Sequence, residues 1–281
     1  MKTSILKLVC GVFSIAFLFS SCLGDSDNKI EIGSDYAFIT TMGSTYTQVA
    51  AVSGRGYGPM YLTSVEIAKL QPGECYLLGY RITNTSSGST GYYTAEDIGA
   101  VPVKLNQTTG SYTAPTRTDD FAPTAFSIAY YDFGLLNANY SSFFGDRWIC
   151  GIRTPLGEKD EVYAHFYYDL ANQKEEVNGV MTDIGENKII IDVRFERQKY
   201  GDGAETNKEV ACVGNLSQIK SYFQSQSGKY NDKGEKNVLI PIKFRYNKTV
   251  TEGGQDVVKE TLEGTWNVDN SAQYVFRYAR E

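Results

Sequence analysis

The chain has 281 residues, 42% hydrophobic and 21% charged, a globular balance that excludes a fibrous or disordered protein and supplies one large or two modest domains. Its formal charge is −6 and it contains no basic block, which argues against nucleic acid as a partner. Aromatic residues make up 13%, with 21 tyrosines, and tyrosine suits strands that pack at one end and meet water at the other.

Lys2 and Lys7 precede an almost wholly apolar run from Leu8 to Phe19, too short to span a bilayer as a stable helix. The run ends in Leu18-Phe19-Ser20-Ser21-Cys22, which resembles the lipobox of bacterial lipoproteins. Phe19 stands where that pattern usually has Leu; the small pair Ser20-Ser21 keeps the match. The resemblance implies a signal peptide over residues 1–21, lipidation of the Cys22 thiol, and acylation of the new amino terminus. Each buried methylene contributes about 0.8 kcal/mol, and two or more chains give stable anchoring where one does not. A plain secretory signal with an incidental cysteine is the alternative. After Cys22 no window approaches the ~18 apolar residues of a membrane span. Removal of the signal takes away Lys2 and Lys7 and leaves a charge of about −8. Residues 22–33 are small, polar and acidic and read as a flexible tether. Gly24-Asp25-Ser26-Asp27 loosely resembles the surface-export signals of Bacteroidetes lipoproteins, so outer-membrane attachment is expected, with either face open.

Alternation then dominates, and the fold class expected is all-β with two short helices. Residues 34–107 read as a small barrel. Strands are expected over 36–42, 46–52 and 57–62, followed by a helix in "LTSVEIAKLQPGE" that starts at Ser64 and stops at "QPG". "ECYLLGYRITN" and "GYYTAEDIGAVPV" complete five strands. Three strands, a helix and two strands is the element order of an OB-type barrel. The glycines of "SGRGYGPMY" suit a hairpin or bulge, where Arg55 and Tyr57 are placed to touch a partner.

Leu105 to Pro123 carries two prolines and many hydroxyls and marks the domain boundary. Residues 108–281 read as an antiparallel β-sandwich, with eight strand-like runs separated by "TPLGEKD", "YGDGAETN", "NDKGEK" and "TEGGQD". In "KIIIDVRFERQ", Ile189, Ile191, Val193 and Phe195 share one face while Asp192, Arg194 and Glu196 share the other. "NVLIPIKFRYN" repeats the pattern, and Pro241 there predicts an edge strand or a bulge. A helix in "QIKSYFQSQSG" is expected to start at a Ser217 cap and to bury Ile219, Tyr222 and Phe223.

The order of these pieces resembles the NigD-like lipoproteins of Bacteroidetes. The resemblance rests on a "PGECYLLGYRI"-type strand after Pro72-Gly73-Glu74, on "VYAHFYYDL" ending in Tyr168-Asp169, on "NKIIIDVRFERQ", and on the helix start Leu216-Ser217. It implies an OB-like domain followed by a β-sandwich, and no established catalytic activity.

Catalytic furniture is sparse. The one histidine, His165, shares a strand face with Tyr163 and Tyr167. That strip is either a binding surface with a polar tip or an ordinary half-exposed sheet face. No metal motif, nucleotide motif or nucleophile for His165 stands out, so the chain reads as non-enzymatic and without cofactor or metal. Cys75, Cys150 and Cys212 remain after processing; three buried thiols is the favoured reading, with a Cys150–Cys212 disulfide as the alternative. The function expected is a binding or assembly module at the outer membrane, held by its lipid and engaging an envelope protein or a glycan. A glycan-binding lipoprotein using Tyr130, Tyr131, Tyr163, Tyr167, Trp148 and Trp266 is one alternative. A fimbrial subunit exchanging its C-terminal "SAQYVFRYARE" strand is another.

Overall fold

The structure is a computed structural model, described for residues 29–42, 48–53, 60–62, 70–82, 93–96, 102–116, 121–130, 146–201, 203–226, 237–267 and 274–279. The class is all-β, with one α-helix among the described residues. The helix expected after Leu62 falls largely on residues 63–69, outside the described set. Its stop signal is present: Gln71 and Glu74 close a turn in which Gly73 takes φ +94°.

Six strands build the N-terminal unit: β1 (Ile30–Met42), β2 (Gln48–Ser53), β3 (Met60–Leu62), β4 (Cys75–Ile82), β5 (Tyr93–Glu96) and β6 (Val103–Lys104). The first five close a barrel in the order β1-β2-β3-β5-β4 and back to β1, with β3 and β5 parallel. This is the OB-type connectivity expected from the element order. Closure depends on β1, whose 13 residues pair with both β2 and β4. A register shift between Ile32 and Asp35 bends it across that distance. Gly79 passes the bend so closely that a Cβ would lie 2.8 Å from the Gly33 carbonyl oxygen. Ile39, Ala51, Met60, Leu78, Tyr80 and Ile82 fill the interior.

The C-terminal unit packs two sheets face to face. One runs β7 (Asn106–Thr109), β14 (Thr206–Asn215), β9 (Arg147–Leu156), β8 (Ala125–Tyr130). The other runs β10 (Glu161–Tyr167), β13 (Ile189–Gln198), β15 (Asn237–Glu252), β16 (Gln255–Glu263), with β17 (Tyr274–Ala279) also on β15. Pairing is antiparallel except at β7–β14 and β13–β15. The expected inner face of β13 packs with Val238, Ile240, Ile242, Phe244 and Tyr246 of β15 against Trp148, Cys150 and Ile152 of β9. Burying one such side chain contributes about 1.5–3 kcal/mol, so this shared layer dominates the unit's stability.

The helix α1 (Ser217–Ser225) closes one end of this core with Ile219 and Phe223. Ser217 is its first residue rather than its cap. Asn215 Oδ1 accepts the Ser217 amide at 3.2 Å and its hydroxyl at 2.7 Å. Tyr222 is half-buried, stacked on Tyr112 at 4.4 Å between ring centroids.

Three features depart from expectation. β15 is an interior strand despite Pro241; the proline pairs with β17, one residue before the run Ile242–Arg245 that pairs with β13, so no ladder bond on that side needs its missing N–H. β7 forms within the segment read as a boundary. There Asn106 and Thr108 donate to the Val162 and Ala164 carbonyls and cover the open edge of β10. A hairpin, β11 (Lys174–Val177) and β12 (Val180–Asp183), turns at Asn178-Gly179 with φ +52° and +81°. Two positive φ values are what a type I′ turn requires, and Asn-Gly is its usual sequence.

The barrel sits on the outer face of the four-stranded sheet. Phe38, Val52, Cys75 and Leu105 meet Ile149 and Val213 there. Strand β9 is therefore covered on both faces, which is why "WICGI" is continuously apolar and not alternating.

Candidate functional site

The outer face of the five-stranded sheet carries the strip read from the sequence. Strand alternation puts Tyr163 and His165 on this face, and the β10–β13 register sets them against Glu196 and Arg194. His165 Nε2 lies 2.9 Å from Glu196 Oε2, each side chain about a quarter exposed. The Tyr163 hydroxyl donates to Glu161 Oε2 at 2.8 Å, and that bond to a carboxylate pushes the phenol pKa up to about 12. Tyr167 does not belong to the accessible strip. It is buried where Ser111 bridges to its backbone. The His165 ring is thus partnered by a carboxylate and not by a nucleophile. Arg55, Tyr57 and Cys22 lie outside the described residues. No three His, Cys, Asp or Glu side chains converge to hold a metal ion among the described residues.

At its other end the same face is closed over. Asp192 is fully buried and receives Arg245 as a fork, Nε at 2.7 Å and Nη2 at 2.8 Å. Arg245 also donates to the Asn172 and Lys174 carbonyls at the base of the β11–β12 hairpin. Burial opposes the guanidinium charge, but Asp192 outweighs it and the Arg245 pKa is raised. Gln173 locks the same base, accepting from the Ile190 amide and donating to the Ile190 carbonyl. Beside it Glu175 takes Lys243 Nζ at 2.6 Å and the Trp266 indole N–H at 2.6 Å. Lys243 also stands over the Trp266 ring, 4.5 Å from its centroid.

A cleft of about 270 Å³ opens where barrel and sandwich meet. Its barrel side is Tyr36, Leu77, Val103, Lys104 and Leu105; its sandwich side is Asn106, Val162, Glu209, Val210 and Ala211, with Asp160 and Glu161. Burial first, and Glu209 second, raise the Tyr36 phenol. Asp160 is held at about 2 by the Tyr200 and Gly157 amides and by Arg197. The sequence offered no sign of this cleft, because its walls come from five separated stretches of chain.

Other candidate residues have structural places. Trp148 is completely buried, its ring edge-on to Phe244 and Phe276, so it is no stacking platform. Strand β17 pairs with β15 of its own chain from Asn237 to Ile242. Cys150 and Cys212 are directly opposite on β9 and β14, both as buried thiols, and Cys150 Sγ donates to the Cys212 carbonyl at 3.4 Å. Hydrogen bonding to the Cys212 thiol and burial push the Cys150 pKa well up. Burial likewise raises Cys75 to about 12.

No protein-family model and no curated protein matches the chain. Solved structures do. An uncharacterized protein from Parabacteroides merdae is 17% identical with a TM-score of 0.54, covering 88% of this chain and 98% of its own. A protein named as a candidate lipoprotein from Bacteroides fragilis is 9% identical with a TM-score of 0.51, over 83% and 96%. A NigD-like immunity protein from Bacteroides caccae is 10% identical with a TM-score of 0.49, over 90% and 99%. At these identities the likeness is one of fold.

Proposed function

We propose that the chain is a non-enzymatic lipoprotein of the bacterial envelope, anchored at the outer membrane through Cys22 and serving as a binding or assembly module for an envelope partner. The observation that carries this reading is the run from Lys2 to Cys22, a charged start and an apolar stretch ending on small residues and a cysteine. The name of the Bacteroides fragilis fold neighbour agrees with it. Two β-units packed through a shared apolar layer suit a scaffold that presents surfaces. A protein partner is favoured over a glycan, because Trp148 and Tyr167, two of the rings read as stacking surfaces, are withdrawn into the interior.

Replacing Cys22 by serine tests the anchor. The wild-type chain is expected to incorporate labelled palmitate and to sediment with envelopes; the variant is expected to do neither. Unchanged labelling and sedimentation would overturn the assignment. Protease treatment of intact cells then decides the membrane face: a chain cleaved under those conditions is on the cell surface.

A further inference from the structure

We propose that Cys150 and Cys212 are joined by a cross-strand disulfide once the chain folds outside the cytoplasm, which rests on the chain being exported as read above. The two residues are directly opposite one another in the antiparallel β9–β14 ladder. Opposite residues in such a ladder have Cα atoms about 4.5 or about 5.5 Å apart, and both separations fall inside the ~4.4–6.8 Å span of a disulfide. Strand alternation sends both side chains to one face, into the layer that holds Trp148 and Ile152, while their neighbours Ile149 and Val213 face the barrel. Cys150 Sγ leans across to β14 and donates to the Cys212 carbonyl at 3.4 Å, so its sulfur stands on its partner's side. In the structure both are thiols, the reduced form of the pair. Cys75 does not compete, because it lies on the barrel side of the sheet against Ile149 and Val213.

Closure breaks two S–H bonds and forms one S–S bond. The two protons and two electrons pass to a disulfide oxidant, whose own S–S bond is reduced to two thiols. The bacterial periplasm is kept oxidising by proteins of that class. In the folded chain both thiols are 1% exposed beneath the second sheet. Hydrogen bonding to the Cys212 thiol and burial suppress the Cys150 thiolate that exchange requires. The bond therefore closes before the two sheets meet and is shielded from reductants afterwards. It links positions 62 residues apart and so restricts the unfolded chain.

The test is peptide mapping of the full chain purified from envelopes, denatured and alkylated with iodoacetamide without reductant, then digested with trypsin. Cleavage at Arg147, Arg153, Lys208 and Lys220 is expected to release peptides 148–153 and 209–220 joined as one species that separates on reduction. Cys75, in peptide 70–81, is expected to be alkylated before reduction. Alkylation of both Cys150 and Cys212 in chains that carry palmitate on Cys22 overturns the proposal, as does a bridge from Cys75 to either residue. In Cys150→Ala, Cys212 is expected to become alkylated without reductant; a Cys212 that stays protected has its partner elsewhere and overturns the proposal. Refolding reads the pair without export. In a mixture of oxidised and reduced glutathione the purified chain is expected to close the same bond, and a refolded chain with both thiols alkylated overturns the proposal whatever the state of Cys22. Palmitate labelling reads the anchor alone, so the anchor and the disulfide fail separately.

Discussion

Asp192 in the sandwich and Asp35 in the barrel are both buried, at 0% and 6% exposure, yet they meet different chemistry. Asp192 is met by a cation, the Arg245 fork delivered from the neighbouring parallel strand. Asp35 is met by hydroxyls: Tyr80 donates from β4 at 2.7 Å and Ser53 donates from β2. Each network ties three pieces of chain together. The first joins β13, β15 and the hairpin base; the second joins β2 and β4 to β1 beside its bend. The difference lies in what remains when one partner is removed. Loss of Arg245 leaves the buried Asp192 only the longer contact to Arg194, at 3.4 Å, whereas loss of one hydroxyl leaves Asp35 its other close donor. A buried pair of the first kind is costly to break and need not be costly to replace whole.

The largest expected effect therefore follows Arg245→Met. It removes the fork from Asp192 and leaves only Arg194, at 3.4 Å, as a counter-charge, and is expected to cost about 3 kcal/mol in urea denaturation. Replacing the pair together, Asp192→Leu with Arg245→Met, is expected to recover most of that loss. A single-variant loss below ~1 kcal/mol would mean that Arg194 or water takes up the Asp192 charge, and the contrast with Asp35 would break. Tyr80→Phe comes next. It removes one donor from Asp35 and also breaks the 2.8 Å contact between the Tyr80 hydroxyl and Ser53 Oγ. About 1–3 kcal/mol is expected. Ser53→Ala belongs to the same network, so the double variant is expected to be non-additive by more than ~0.5 kcal/mol. Strict additivity would show that the two hydroxyls act separately.

Neither network was legible in the sequence, and the reason is register. Alternation in "KIIIDVRFERQ" correctly put Ile189, Ile191, Val193 and Phe195 on the inner face. It put Asp192 on the other face, where water was the natural expectation. That face is covered because the hairpin folds back over it, and Arg245 arrives because β13 pairs parallel to β15 with Asp192 opposite Arg245. No local pattern encodes that pairing. The hairpin was missed: "KEEVNGVMTD" carries Asn-Gly between two short runs, but few apolar side chains mark those runs as strands. The barrel order was readable because each strand is bounded by its own turn signal. Tyr163 and His165 were readable as face-mates by alternation alone, while Glu196 as the partner of His165 required the β10–β13 register.

The hairpin offers a smaller test of how far the Asp192 network extends. Gly179 sits at φ +81° with open space around its Cβ position, so Gly179→Ala strains the turn without a clash. About 1 kcal/mol is expected, confined to the hairpin. Amide exchange is expected to quicken at Ile184, whose N–H bonds to the Gln173 carbonyl at 3.1 Å, while barrel amides keep their rates. Uniform acceleration across both units would mean that the hairpin and the Asp192 network open only with the whole chain.

Asp160 supplies a third arrangement, and the smallest expected effect. Its carboxylate is held mainly by the backbone amides of Tyr200, at 3.0 Å, and Gly157, at 2.9 Å, with Arg197 adding to them. These bonds favour the ionised form and hold its pKa at about 2 in the folded chain. An unfolded aspartate titrates near ~3.9. The folded value is the lower one, so Asp160 contributes stability that is fully present above about pH 4 and is lost as pH falls through about 2. Melting temperatures of the wild-type chain and of Asp160→Asn are therefore expected to differ most at neutral pH and to converge through that window. Subtracting the two curves removes the other acids from the comparison. Curves that stay parallel from neutral pH down to about 2 would show that the amides of Tyr200 and Gly157 hold the asparagine as well as the carboxylate. The loop would then owe its shape to hydrogen bonding alone, without the charge that distinguishes Asp192.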